Sequence, residues 1–262
     1  MQIRKIESLA EMREVERLQR EIWGVEDLEV YPALALKPQT EVGAILIGAF
    51  DEGRMVGFVF GFPGILDGET IIHSDMLGIA EEYRSHNLGY LLKLAQREAA
   101  MARGIERITW TYDPLQSRNA HFNLSKLGVI SDRYYIDYYG VTSSFLHRFG
   151  TDRLWVTWLL RSERVRSRIE QMVKPRAPGD LDQMPHLVRV SENYEPISAD
   201  EFDGPQVVIE IPTEISTNQE RWREATRKAF TSAIGNGFVV EGFYVSEARQ
   251  VGRYVLRQDL QD

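Results

Sequence analysis

Apolar residues recur at helical spacing near the start of the chain, where Leu9, Met12, Val15, Leu18 and Ile22 fall on one face of a 3.6-residue period. Ser8 and Glu11 make a capping-box pattern at its head, which predicts an amphipathic helix. From Gly43 the texture changes. Residues 44–50 and 55–62 are β-rich runs around Asp51-Glu52-Gly53, a hairpin signal, and a turn over 64–69 leads into a third strand over 70–79. Leu88, Leu91, Leu92, Ala95, Ala99 and Ala102 then form an apolar stripe, predicting a helix that ends near Gly104. Residues 105–112 read as a strand, 117–126 as a short helix closed by Leu127-Gly128, and 133–141 as another strand.

This order predicts an α/β chain, a mixed α+β sheet with one crossover. Pro175, Pro178, Gly179 and Pro185 mark a linker. Just before it, residues 152–176 hold seven Lys/Arg against three Asp/Glu, a local charge of +4. A solvated face accounts for that charge more simply than an acidic-ligand patch. Beyond the linker come a strand (207–211), a helix (218–234) and a hairpin (238–245 with 252–257). The predicted organisation is therefore a domain over 1–150, a connecting strand and Pro-rich linker over 151–185, and a smaller α/β subdomain over 186–262.

Charge and composition narrow the partners. With 31 Lys/Arg against 39 Asp/Glu the net charge is −8, and no basic face points to nucleic acid. There is no cysteine, which removes disulfides, thiolate metal sites and cysteine nucleophiles. His73, His86, His121, His147 and His186 show no metal-ligand spacing, so no metal is expected. The near-apolar run 56–66 is too short to span a bilayer. The expectation is a cytoplasmic protein with no membrane or nucleic-acid partner.

The most informative stretch runs from Met76 to Tyr90: an apolar strand enters a tight polar loop that opens onto a helix. Such a loop aims backbone N–H groups at one point, reinforced by the helix dipole, and suits a diphosphate. Gly89 permits close approach, Asn87 tolerates a left-handed backbone, and Arg84 adds charge.

Arg84-x-x-Asn87-x-Gly89 resembles the Q/R-x-x-G-x-G/A acyl-CoA loop of the GNAT N-acyltransferase superfamily. The element order to about residue 145 is similar too, as are Ile108 to Asn123, Lys126-Leu127-Gly128 and Asp137-Tyr138-Tyr139-Gly140, which resemble a bacterial branch of GNAT acetyltransferases. The resemblance implies an acyl-CoA co-substrate, acetyl-CoA or succinyl-CoA, and a primary-amine acceptor, a small molecule such as an amino acid. It implies that Leu77, Gly78 and Ile79 bond the pantetheine arm, that Arg84, Ser85, His86, Asn87, Leu88, Gly89 and Tyr90 hold the pyrophosphate, and that Asn119 or Asn123 contacts the arm. A splay between strands 70–79 and 105–112 would admit the thioester.

The usual tyrosine acid of the family falls on Leu124, so that acid is either absent or supplied from elsewhere, for example by Tyr139 or Tyr112. The family's base, eleven residues before the loop, falls on His73, with Asp75 in reserve. Strand alternation places His73, Asp75, Leu77 and Ile79 on one face. Two other readings stay open: a non-catalytic acyl-CoA-binding or regulatory module, and a structural protein, including a homodimer, that associates through residues 186–262.

Overall fold

The computed structural model describes residues 1–144, 147, 150–199 and 203–258. The chain forms two compact units, Met1–Trp110 with Val141–Arg148, and Thr111–Gly140 with Phe149–Asp262. The division thus falls after Trp110, earlier than the boundary at 150 read from the sequence. The reason is strand pairing: residues 130–135 bond to strands at 153–159 and 238–246, so they fold with the C-terminal half.

In the first unit the strands β1 (Gln2–Lys5), β2 (Ile45–Asp51), β3 (Arg54–Leu66), β4 (Glu69–Ile79) and β5 (Arg107–Tyr112, its last two residues in the second unit) lie in that order. All neighbours are antiparallel except β4 and β5, which are parallel. Two-residue turns close the hairpins. Glu52 and Gly53, then Asp67 and Gly68, all have positive φ, the geometry that matches strand twist. The second turn is shorter than the one expected over 64–69, because β3 runs on to Leu66.

Helix α1 (Leu9–Trp23) starts at the expected capping box. The Glu11 N–H donates to Ser8 Oγ at 3.2 Å and the Ser8 N–H to Glu11 Oε2 at 3.3 Å. Gly24 ends it in the left-handed conformation. Met12, Val15, Leu18 and Ile22 pack with Leu36 of α2 (Ala33–Glu41) and with Phe58, Phe60 and Met76 of the sheet. Leu9, counted on that stripe, is exposed.

Helix α3 (Leu88–Met101) lies between β4 and β5, but it buries a different face from the one its apolar stripe suggests. Leu88, Leu92, Lys93, Gln96, Arg97 and Ala100 are buried, while Leu91 and Ala102 are exposed.

The second unit orders its strands β7 (Arg153–Leu159), β6 (Ile130–Tyr135), β11 (Phe238–Ser246), β12 (Val251–Gln258), β10 (Gln206–Pro212), β8 (His186–Val190) and β9 (Pro196–Ser198). Its helices are α4 (Ser117–Ala120), continued by π-helical turns over His121–Leu127, α5 (Glu163–Ile169) and α6 (Gln219–Gly235). Gly128 ends the π segment at φ 76°, where the sequence placed a helix stop. β6 stops at Tyr135 instead of running to residue 141, and Tyr139 sits in a turn with its N–H on Thr151 Oγ1. A buried bidentate pair joins Asp113 to Arg223 at 2.6 and 2.9 Å.

Candidate active site

The site grows out of an irregularity in β4. Phe60 faces Met76 and Phe62 faces His73, so three steps on β4 oppose two on β3. The extra residue lies at Ser74–Asp75, a β-bulge. Gly61 sits opposite, and the bulge requires it. A Cβ there would stand 2.8 Å from Ile72 Cγ2 and Gln96 Nε2 and 2.9 Å from the His73 carbonyl oxygen.

The bulge changes which residues share a face. His73 takes the face of Met76 and packs its ring 5.5 Å from that of Phe62. Leu77 and Ile79 point the other way, toward Gly89 of α3. The single face expected for His73, Asp75, Leu77 and Ile79 is therefore broken, because period-two alternation does not survive an inserted residue.

Beside the bulge the sheet opens. β4 and β5 pair only at Ile72↔Ile108 and His73↔Thr109. Beyond that point, among the described residues, the edge of β4 through Leu77, Gly78 and Ile79 has no strand partner on the β5 side. This is the splay that the sequence resemblance implies.

His73 is half-buried, and its Nδ1 lies 3.0 Å from Thr109 Oγ1. Burial, helped by the positive charge of Lys93, lowers its pKa to about 4. Asp75 differs. Its side chain reaches solvent, yet it is set deep among protein atoms, and that desolvation pushes its carboxyl above the usual range.

After Ile79 a 3₁₀ turn over Glu81–His86 leads to Asn87, left-handed at φ 57°, as its place in the motif suggests. The Tyr90 and Leu91 N–H groups donate to the Asn87 carbonyl, while Leu88 and Gly89 are the first residues of α3, whose N–H groups have no acceptor a turn earlier within the helix. Arg84, His86 and Asn87 are exposed, Leu88 is buried and Tyr90 half-buried; the side chain of Ser85 lies outside the described residues. A Cβ on Gly89 would meet nothing nearer than Leu77 Cδ2 at 3.7 Å. The protein itself therefore does not require glycine there, although glycine in a helix costs about 0.5–1 kcal/mol relative to alanine.

Tyr139, Asn119 and Asn123 belong to the second unit. Tyr139 is exposed, its hydroxyl 3.3 Å from Thr111 Oγ1. Asn119 is exposed and Asn123 buried. Tyr112 is buried, with its hydroxyl 3.4 Å from that of Tyr254, and burial raises its pKa. Leu124, in the slot of the usual acid, is buried too.

Sequence reasoning missed Ser74, Lys93 and Gln96, which form a buried polar cluster behind the bulge. The only signal was two polar residues three apart on α3. Among the described residues no group of three or more His, Asp or Glu could hold a metal, and no helix is long and apolar enough to cross a membrane.

Residues 9–128 match the model of a family described as Acetyltransferase (GNAT) family. No protein of curated function matches the chain at a significant level. Among solved structures, the chain is similar to a protein described as a GNAT-family acetyltransferase from Desulfovibrio desulfuricans, at 13% identity, over 61% of this chain and 98% of that one, with a TM-score of 0.50. It is also similar to smu.2055 from Streptococcus mutans UA159, at 16% identity, over 62% and 100% of the two chains, with a TM-score of 0.50. At these identities the structures speak for the fold, and the family model speaks for the chemistry. Residues 9–128 are thus a GNAT acetyltransferase domain, the part of the chain that carries acyl-CoA-dependent N-acyl transfer.

Proposed function

We propose that this enzyme moves an acetyl group from acetyl-CoA to the primary amine of a small molecule such as an amino acid, by direct attack. The observation that carries the reading is the parting of β4 from β5 after His73↔Thr109, directly upstream of the Arg84–Tyr90 loop. The loop and the start of α3 suit the pyrophosphate, and the open edge at Leu77–Ile79 suits the amide-bearing arm, which would bond to it like an added strand. Backbone N–H groups on that edge would also stabilise the oxyanion as it forms.

The amine arrives as an ammonium and must lose a proton before its lone pair attacks the thioester carbon. We assign that proton to Asp75. Its raised carboxyl lies nearer to working pH than an ordinary aspartate, and it is open to solvent. His73, the first choice from sequence, is a much weaker base than an ordinary histidine, at about 4, and has Nδ1 engaged with Thr109. As the C–N bond forms and the C–S bond breaks, the nitrogen gives up its second proton to solvent and the departing thiolate takes one from solvent.

A succinyl donor gains no support from the +4 stretch. Arg164 donates to the Gly128 carbonyl, Arg166 pairs with Glu163 and Glu170, and Arg168 donates to the Val173 carbonyl. The test is release of free thiol from acetyl-CoA and from succinyl-CoA against a panel of amino acids, polyamines and basic peptides. Turnover with acetyl-CoA and a small amine supports the proposal. Binding of coenzyme A without turnover of any acceptor points instead to a non-catalytic acyl-CoA-binding module.

A further inference from the structure

Lys93 has no part in the reaction above, yet it is 2% exposed and meets no carboxylate among its hydrogen-bond partners. Its Nζ donates to Ser74 Oγ at 2.8 Å and to Gln96 Oε1 at 3.2 Å, and it lies 3.6 Å from the centroid of the Trp110 ring. A hydroxyl, an amide oxygen and a π face thus occupy the three directions in which an ammonium donates. The Ser74 hydroxyl in turn donates to Gln96 Oε1 at 2.9 Å, and Gln96 Nε2 is left buried without a partner. Such a cluster is a poor way to stabilise a core, since an apolar side chain of similar volume would avoid desolvating a charge. Burial pushes the Lys93 amine well below its usual range.

Its position explains more than its energetics. The last paired residues of the two strands are His73 and Thr109. Ser74 and Trp110 come next, one on each strand, and Lys93 touches both. The lysine therefore bridges β4 and β5 at the point where they separate. From the loop after Ile79, the strand runs back to Ser74 at about 3.3 Å per residue, so a cofactor arm laid along it from the loop ends facing this bridge.

We propose that Lys93 is a positioning residue that fixes the closed end of the acyl slot by tying Ser74 to Trp110, and so restricts the enzyme to short acyl groups. The inference rests on the reading that acyl-CoA lies along the open edge of β4.

The experiment uses the full chain with Lys93→Met and Ser74→Ala. Steady-state kinetics with acetyl-, butyryl- and hexanoyl-CoA are run beside calorimetric titration with free coenzyme A and thermal unfolding. For Lys93→Met the expected results are an unfolding midpoint no lower than wild type and unchanged affinity for free coenzyme A. The KM for acetyl-CoA should rise at least about tenfold while the KM for the amine stays constant, and kcat/KM for butyryl- relative to acetyl-CoA should rise about tenfold. Ser74→Ala should shift the same two quantities in the same direction by less, and it decides the matter if the lysine variant does not fold. A folded variant whose acetyl-CoA KM and chain-length ratio stay within about threefold of wild type overturns the proposal alone. Failure of the wild type to bind coenzyme A overturns the acyl-transfer reading, and this proposal with it.

Discussion

His73 makes a sharp and separable prediction, because its two proposed roles require opposite behaviour with pH. In the folded chain its pKa is about 4, against 6.5 for the ordinary side chain. The unfolded chain therefore takes up the proton first as the solution is acidified. The native state holds its full stability above pH 6.5, loses it progressively as pH falls, and has lost the whole contribution once pH drops below about 4. Linkage puts that contribution at about 3 kcal/mol in total, of which about 2 kcal/mol has gone by pH 5.

His73→Gln keeps a hydrogen-bonding group opposite Thr109 Oγ1 but cannot titrate. Urea unfolding of both proteins at pH 7.5, 6 and 5 isolates the term, since every other titrating group cancels in the difference. Relative to the variant, the wild type should lose about 2 kcal/mol between pH 7.5 and 5. The same variant should keep kcat within about fivefold at pH 7.5, because a base this weak contributes little to deprotonating an ammonium. A pH-independent stability difference would show that His73 is not held neutral. A hundredfold fall in kcat would restore it as the base.

Asp75→Asn should lower kcat by about 10²-fold or more at neutral pH with coenzyme A affinity unchanged, and the acidic limb of the wild-type pH–rate profile should disappear with it; retention of that limb would assign the proton to another group. Asp113→Asn in the second unit breaks the buried bidentate pair with Arg223 and should cost about 3–5 kcal/mol in chemical unfolding. A loss below about 1 kcal/mol would mean that the pair is solvated in solution.

Much of the frame was readable because its signals are local. Ser8 and Glu11 cap α1 as a pair of side chains four positions wide, and Glu52-Gly53 closes its hairpin with two positive φ values. Asn87 was legible for the same reason: few residues other than glycine accept φ 57° readily. The site was less readable because its decisive features are not local. Periodicity counts apolar side chains, so it chose Leu91 and Ala95 on α3 and passed over Lys93 and Gln96, which are buried through partners on β4 and β5. The bulge at Ser74–Asp75 is defined only by pairing with β3, and without it a count of nine or eleven residues back from Arg84 appears to keep one face throughout. β1 is a short polar edge strand, Gln-Ile-Arg-Lys, and α2 carries Pro38 inside it; neither presents the pattern that identifies such elements.

The claim on which the account stands is that coenzyme A binds where β4 gives way to the Arg84–Tyr90 loop and α3. Calorimetric titration of coenzyme A into wild type, Gly89→Ala and Gly89→Glu tests it, with thermal unfolding of each. Alanine meets no protein atom nearer than 3.7 Å, so Gly89→Ala should be as stable as wild type or more stable by about 0.5–1 kcal/mol. Gly89→Glu places bulk and negative charge against the pyrophosphate and should weaken binding at least tenfold, about 1.4 kcal/mol, with Gly89→Ala falling between the two. Equal affinity in all three folded proteins would contradict the account.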